Sequence, residues 1–361
     1  MNDTHPHLLT TGIRLQAGWL LLRAGGFSLR VRARDSVLIG LCLLALAAVA
    51  VAALMVGDTM LGPGQVIDAL RGAATRGQRL LVRDIRLPRV LAAGVTGIAL
   101  ATAGCLLQTV ARNRLASPSF IGVNEGAMLA VILAMTNLDN ATMGPWWVAP
   151  LGSAVAGCAM VVIAGRAGSA SVRVIVVGVA LAVLLRSVNE LMMSRVDLRH
   201  ASELYAWSMG SLATSAHPLR RGGLVVLLAL VPLAVLVNRP LSLMRLHSET
   251  AISLGLNLRL WQALVFFAAV ALAGIGVGIG GPIVFIGLAA PIAASRLIGW
   301  SPQIPIVPTA CIGAILVITC DTLGRIVVPG DELPVGVLTS IMGGPVLLWV
   351  LLTDRRTPAR G

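Results

Sequence analysis

Ten runs of mostly apolar residues, parted by short polar or basic breaks, run along the chain at about 37–57, 90–110, 118–136, 145–165, 174–193, 222–238, 261–280, 282–299, 304–325 and 334–352. A helix needs about 20 residues to cross the hydrocarbon core of a bilayer, and each run is close to that length. The runs are continuous rather than alternating, which is the pattern of helices and not of an outer-membrane β-barrel. The pattern therefore predicts an all-α, multi-span membrane protein of about ten helices. Residues 261–299 form one apolar stretch too long for a single helix. Gly280-Gly281-Pro282 is the expected break, since glycine permits the turn and proline starts a helix well. An even number of spans puts both termini on one side.

Composition narrows the class. The chain of 361 residues is 57% hydrophobic and 12% charged, against roughly 25% charged in an average soluble domain. A soluble enzyme is excluded. Residues 1–36 are polar and basic, and the Ala-Val-Ala near the end of the first apolar run invites a signal-peptide reading. The basic segment is too long for that, and the run reaches the length of a span. The expected organisation is a cytoplasmic N-terminal tail (1–36), one ten-helix transmembrane domain (37–353) and a cytoplasmic C-terminal tail (354–361).

The basic residues change the picture further. All 28 are arginine, giving a net charge of +13. Scattered between apolar runs, they resemble topology determinants more than a nucleic-acid patch. Nucleic acid is not an expected partner; membrane lipid is. With the termini inside, the inner loops hold more arginine than the outer ones, but only modestly, because a second cluster lies outside at 71–89. The lack of lysine excludes a P-loop and a Schiff-base mechanism in this chain. Any ATP hydrolysis would belong to another chain. Cys42, Cys105, Cys158, Cys311 and Cys320 sit singly within apolar runs, with no metal-ligand spacing, and read as small packing residues.

Three features carry candidate chemistry. The first is the polar loop from Asn238 to Leu260, where Leu246, Ala251, Leu254 and Leu256 give a short amphipathic pattern. Ser248 can cap, Glu249 and Thr250 suit a first turn, and Gly255 can end the unit. A docking helix for a cytoplasmic partner and an ordinary connector both fit that spacing. The second is the outer arginine cluster. The third is a set of ionisable residues within spans: Arg186 and Glu190, four apart; Asp321 and Arg325, four apart; and Glu125 near the start of the third span. Both pairs fit structural locks.

The motifs RLPRVLAA (86–93), GCLLQTVARNRLASPSFIGVNEGA (104–127), YAWSMGSL (205–212), ETAISLGLN (249–257), GPIVFIGLAAP (281–291) and ELPVGVLTSIMGGPVLLWVLL (332–352) occur in one order along nearly the whole chain. In them the sequence resembles the FecCD family of permeases of type II ABC importers, which serve ferric siderophores, haem and cobalamin. The resemblance implies ten helices per subunit, a second permease (a heterodimer is favoured), two ATPase subunits and a binding protein that delivers substrate outside. It implies no cofactor on this chain, with ATP and Mg on the ATPase. It makes 240–257 the coupling loop, and His247, Ser248, Glu249, Ala251, Leu254, Gly255 and Leu256 the ATPase-coupling residues. His247 and Ser248 stand where the family commonly has glycine and glutamate, which puts one acidic contact in doubt. Arg86, Arg89 and Arg325 match arginines that dock the binding protein of the cobalamin member; lipid snorkelling is the alternative for them. Arg71, Arg76, Arg79 and Arg83 have no such match and read as surface charges. The cytoplasmic gate falls at about Ser171 and Val172.

The implied function is ATP-driven import across the bacterial inner membrane, with an iron–siderophore complex as cargo and haem or cobalamin as alternatives. The rival from another class is a stand-alone secondary transporter. That reading needs intramembrane carboxylates along a pathway. Glu190 and Asp321 each have an arginine four residues away, which leaves little for ion coupling.

Overall fold

The computed structural model describes residues 12–16, 19–24, 27–57, 59–137, 147–165, 172–196, 198–212, 238–246, 248–298, 305–328 and 331–354, together with residues 223 and 226. The chain enters through a three-stranded antiparallel meander, β1 (Gly12–Gln16), β2 (Trp19–Ala24) and β3 (Phe27–Arg32), with Gly12 opposite Arg23 and Trp19 opposite Arg32. The sequence assigns this segment to the N-terminal tail and names no element within it. Its β3 alternates Phe27, Leu29 and Val31 with Ser28, Arg30 and Arg32, which is the period of a strand.

Among the described residues, every regular element after it is a helix. α1 (Ala33–Met55) is followed by the short α2 (Pro63–Arg71) and by α3 (Arg76–Arg79), which runs through a π-helical stretch, Leu80–Arg86, into α4 (Leu87–Ala111). A short 3-10 turn (Pro118–Ile121) precedes α5 (Val123–Asn137), α6 (Val148–Ala164), α7 (Val172–Met193) and α8 (Leu198–Ser208). The last group is α9 (Asn238–Met244), α10 (Ser248–Ser253), α11 (Leu258–Gly280), α12 (Ile286–Ile298), α13 (Ile306–Gly324) and α14 (Val335–Asp354). Nine of the expected spans are helices; the sixth, 222–238, lies almost wholly outside the described residues.

α4 is the axis of the bundle, packed by α11 and α13 along its length and by α12 at its C-terminal half. Glycine makes those crossings possible. A Cβ on Gly97 would lie 2.3 Å from the Gly313 carbonyl oxygen, and one on Gly104 1.8 Å from that of Gly287. Lipid tails are as apolar as leucine, so close backbone approach, rather than exclusion from water, holds such helices together. α5 and α6 cross in the same way at Gly126 and Gly152.

The expected break after Gly280 is present, and longer than a hairpin. Gly281 takes φ 74° and its N–H meets the Val277 carbonyl, while Phe285 takes φ 68°. Helix α12 consequently resumes at Ile286 and not at Pro282. Phe285 fits because Gly343 leaves it room: a Cβ there would fall 2.4 Å from the Phe285 Cβ.

Candidate functional sites at the two ends of the bundle

The three arginines singled out from sequence converge at one end. Arg86 is 3% exposed. Its Nη1 donates to the carbonyls of Leu54 (2.8 Å) and Met55 (3.1 Å), and its Nη2 to that of Thr59 (2.6 Å). Carbonyls at a helix C-terminus lack intrahelical partners, and a guanidinium satisfies several at once. Arg86 is thus turned inward to hold the end of α1 and is not displayed for docking, contrary to the sequence reading. Arg325 is also inward, donating from Nη2 to the Ala53 carbonyl at 3.3 Å.

Arg89 joins these elements to the rest. Its Nε lies 2.9 Å from Asp321 and its Nη1 2.8 Å from Glu332. Arg325 Nε approaches the other Asp321 oxygen at 3.4 Å, so the expected Asp321–Arg325 pair exists, but Arg89 is the closer partner. Asp321 is 1% exposed and Glu332 54%. One carboxylate is a buried fixture; the other sits in solvent. Arg71, Arg76, Arg79 and Arg83 are exposed, as surface charges should be.

The opposite end carries the 238–257 loop. α4 has 25 residues, so its ends stand about 37 Å apart. At its C-terminus Arg112 takes φ 49°, donating from Nε to the Met244 carbonyl (3.0 Å) and from Nη1 to Ser248 Oγ (3.1 Å). Ser248 opens α10 and Glu249 lies in its first turn. Gly255 ends the unit at φ 83°, with its N–H on the Ile252 carbonyl. The expected amphipathic face divides: Ala251 and Leu256 are buried, whereas Leu246 and Leu254 are exposed with Ile252. That leaves an apolar patch on the outside of a polar loop. His247 lies outside the described residues.

Two further sequence readings land elsewhere. Ser171 lies outside the described residues and Val172 opens α7. Arg186 and Glu190 pair along α7 at 3.4 Å, with both side chains about three-quarters exposed, at 75% and 72%. In lipid each such charge costs about 2.5–3.5 kcal/mol on insertion scales. This face of α7 is therefore turned to water or to protein, and the pair is no buried lock. All five cysteines are free. Among the described residues, no group of three or more His, Cys, Asp and Glu could hold a metal ion.

Residues 43–353 match the model of the FecCD transport family. The chain belongs to that family. This FecCD permease is 34% identical over 343 residues to the achromobactin transport system permease protein CbrC of Dickeya dadantii, covering 93% of this chain and 97% of CbrC. It is 31% identical to FepG (83% of this chain, 91% of FepG) and 33% identical to FepD (88% and 95%), both permease proteins of the ferric enterobactin transport system of Escherichia coli. Its fold is similar to a solved metal-chelate type ABC transporter in an inward-facing conformation, with TM-score 0.77 and 26% identity over 88% of this chain and 99% of that one. The FecCD permease is accordingly a multi-pass membrane protein of the ABC-transporter class.

Proposed function

We propose that this FecCD permease carries an iron–siderophore complex across the bacterial inner membrane by ATP-driven alternating access, with haem or cobalamin as the alternative cargo. Both termini lie in the cytoplasm. One observation carries the mechanism: the axial helix α4 is tied at its N-terminal end to the Arg89–Asp321–Arg325 cluster and at its C-terminal end to the 238–257 loop through Arg112. A rigid rod joins the two faces. Motion at the loop therefore reaches the opposite end without passing through soft structure.

The loop end docks one of two ATPase subunits, which bind ATP and Mg; this chain binds no cofactor of its own. Leu246, Ile252 and Leu254 supply the apolar contact and Glu249 the charge. The arginine end receives the substrate-binding protein. There Arg86 and Arg325 hold the platform, and Arg89 with Glu332 forms its solvent edge. A second permease completes the pathway, and the water-filled space between the two gives Arg186 and Glu190 a setting other than lipid. FepD and FepG belong to one transport system, which favours a heterodimer. The inner gate lies at the Ser171–Val172 entry to α7.

Gly255→Val tests the coupling reading. A β-branched residue is strained at φ 83°, although the space around Gly255 is open, so the loop changes shape without a clash. The expected result is an assembly that still contains its ATPase but transports poorly per ATP hydrolysed. Unchanged uptake and coupling would refute it.

A further inference from the structure

Beside the Arg186–Glu190 pair lies a cleft of about 510 Å³ that neither the platform nor the coupling loop uses. Its walls come from α5, α7, α8 and the Pro282–Val284 segment after α11. That volume falls within the roughly 300–1,000 Å³ usual for small-molecule sites.

The lining is one-sided in its chemistry. Asn124 and Asn189 are buried at 2% and 1% exposure. Asn189 Nδ2 donates to the Glu125 carbonyl at 3.0 Å and Asn124 Nδ2 to Ser119 Oγ at 3.1 Å. Those bonds fix both amides and spend a donor of each. The oxygens remain: Asn124 Oδ1, Asn189 Oδ1 and Glu125 Oε2 have no hydrogen-bond partner. Burying three such acceptors is costly unless a donor comes to them. At the mouth stand the exposed Arg186, Glu190 and Tyr205.

We propose that this cleft is a contact site for cargo during passage, and that it takes chelates whose rim presents amide N–H or hydroxyl donors. This rests on the importer reading and deepens it. The buried oxygens accept from the rim of the chelate, Glu190 accepts at the mouth, and Arg186 holds Glu190 in place. A chelate whose rim is mostly carboxylate brings acceptors to acceptors and is disfavoured. A helix from a second permease would lay a flat surface over the mouth and leave the deep oxygens unmet.

The test is equilibrium binding to the permease–ATPase assembly in nanodiscs, without any binding protein, using ferrioxamine B as the donor-rich probe and ferric citrate as the carboxylate-rich one. The wild-type assembly is expected to bind ferrioxamine B at least tenfold more tightly. Glu125→Leu and Glu190→Gln should each weaken that binding several-fold, and Glu125→Gln, which keeps an acceptor, should restore most of it. Equal or preferred binding of ferric citrate, no binding of either probe, or variants with unchanged Kd would overturn the proposal. So would release of one permease copy by Glu190→Gln, which would mark the pair as an interface between permeases. An assembly without ATPase would instead refute the importer reading, whichever probe bound.

Discussion

Arg89 on α4 and Asp321 on α13 stand 232 residues apart in sequence and 2.9 Å apart in space. Asp321 is buried and Arg89 largely so, and Arg325 shares the carboxylate from one turn further on. Breaking a buried ion pair by removing one partner costs about 3–5 kcal/mol, because the other charge is left desolvated. Asp321→Ala should therefore lower the thermal midpoint of the detergent-solubilised permease by several degrees. Glu332→Gln touches the same arginine from a half-exposed position and should cost no more than about 1 kcal/mol. Scanning fluorimetry on the two variants checks the contrast.

Arg86 gives a second prediction. Its hydrogen bonds tie the end of α1 to the start of α4, and bonds to a charged group are worth about 1.5–3 kcal/mol. Arg86→Ala should destabilise the permease, and Gly57→Ala should do so as well, since a Cβ there would stand 2.7 Å from Arg86 Nη2. If Arg86 served docking alone, Arg86→Ala would leave the melting temperature unchanged while binding-protein affinity fell.

The clamp from Arg112 to the loop predicts a change at the other end. Arg112→Gln replaces the guanidinium that reaches both Met244 and Ser248 with a shorter amide that cannot span the two, and should loosen the loop from α4. ATPase should still be captured through the exposed leucines, but transport per ATP hydrolysed should fall several-fold in proteoliposomes. Arg112→Lys should rescue little, because an ammonium lacks the planar fork that spans two acceptors.

Packing around the axis yields a fourth. Gly104→Ala would place its Cβ 1.8 Å from the Gly287 carbonyl oxygen, so α4 and α12 must separate. Overpacking of this kind costs about 1–3 kcal/mol. The yield of monodisperse protein in size-exclusion chromatography should drop, whereas Gly77→Ala, with nothing near its Cβ, should behave as wild type.

Much of the fold was legible because the bilayer imposes length and polarity on every span. The apolar runs placed nine helices, and Gly280-Gly281 marked the break in the long stretch. What escaped was local or distant. The meander at 12–32 carried a strand period that its basic charge obscured. Phe285 in a left-handed conformation delayed α12, an outcome that depends on the space left by Gly343 far along the chain. At the sites, the sequence picked out Arg86, Arg89 and Arg325, but not what holds them. Asp321 was paired with Arg325 by helical spacing, and only the fold brought Arg89 closer. Arg86 reads from sequence as a docking residue because nothing local announces the carbonyls of α1. The coupling residues were marked by motif, and their exposure depended on how α10 sits against α4.

The central claim is that this chain is one permease in an ATP-driven assembly, and native mass spectrometry of that assembly tests it most directly. The permease should be purified from its own membranes in mild detergent, beside a known importer treated identically. The account predicts two permease copies with two ATPase copies, and the permease masses tell a heterodimer from a homodimer. A stable permease with no ATPase, under conditions that keep the known importer whole, would contradict it.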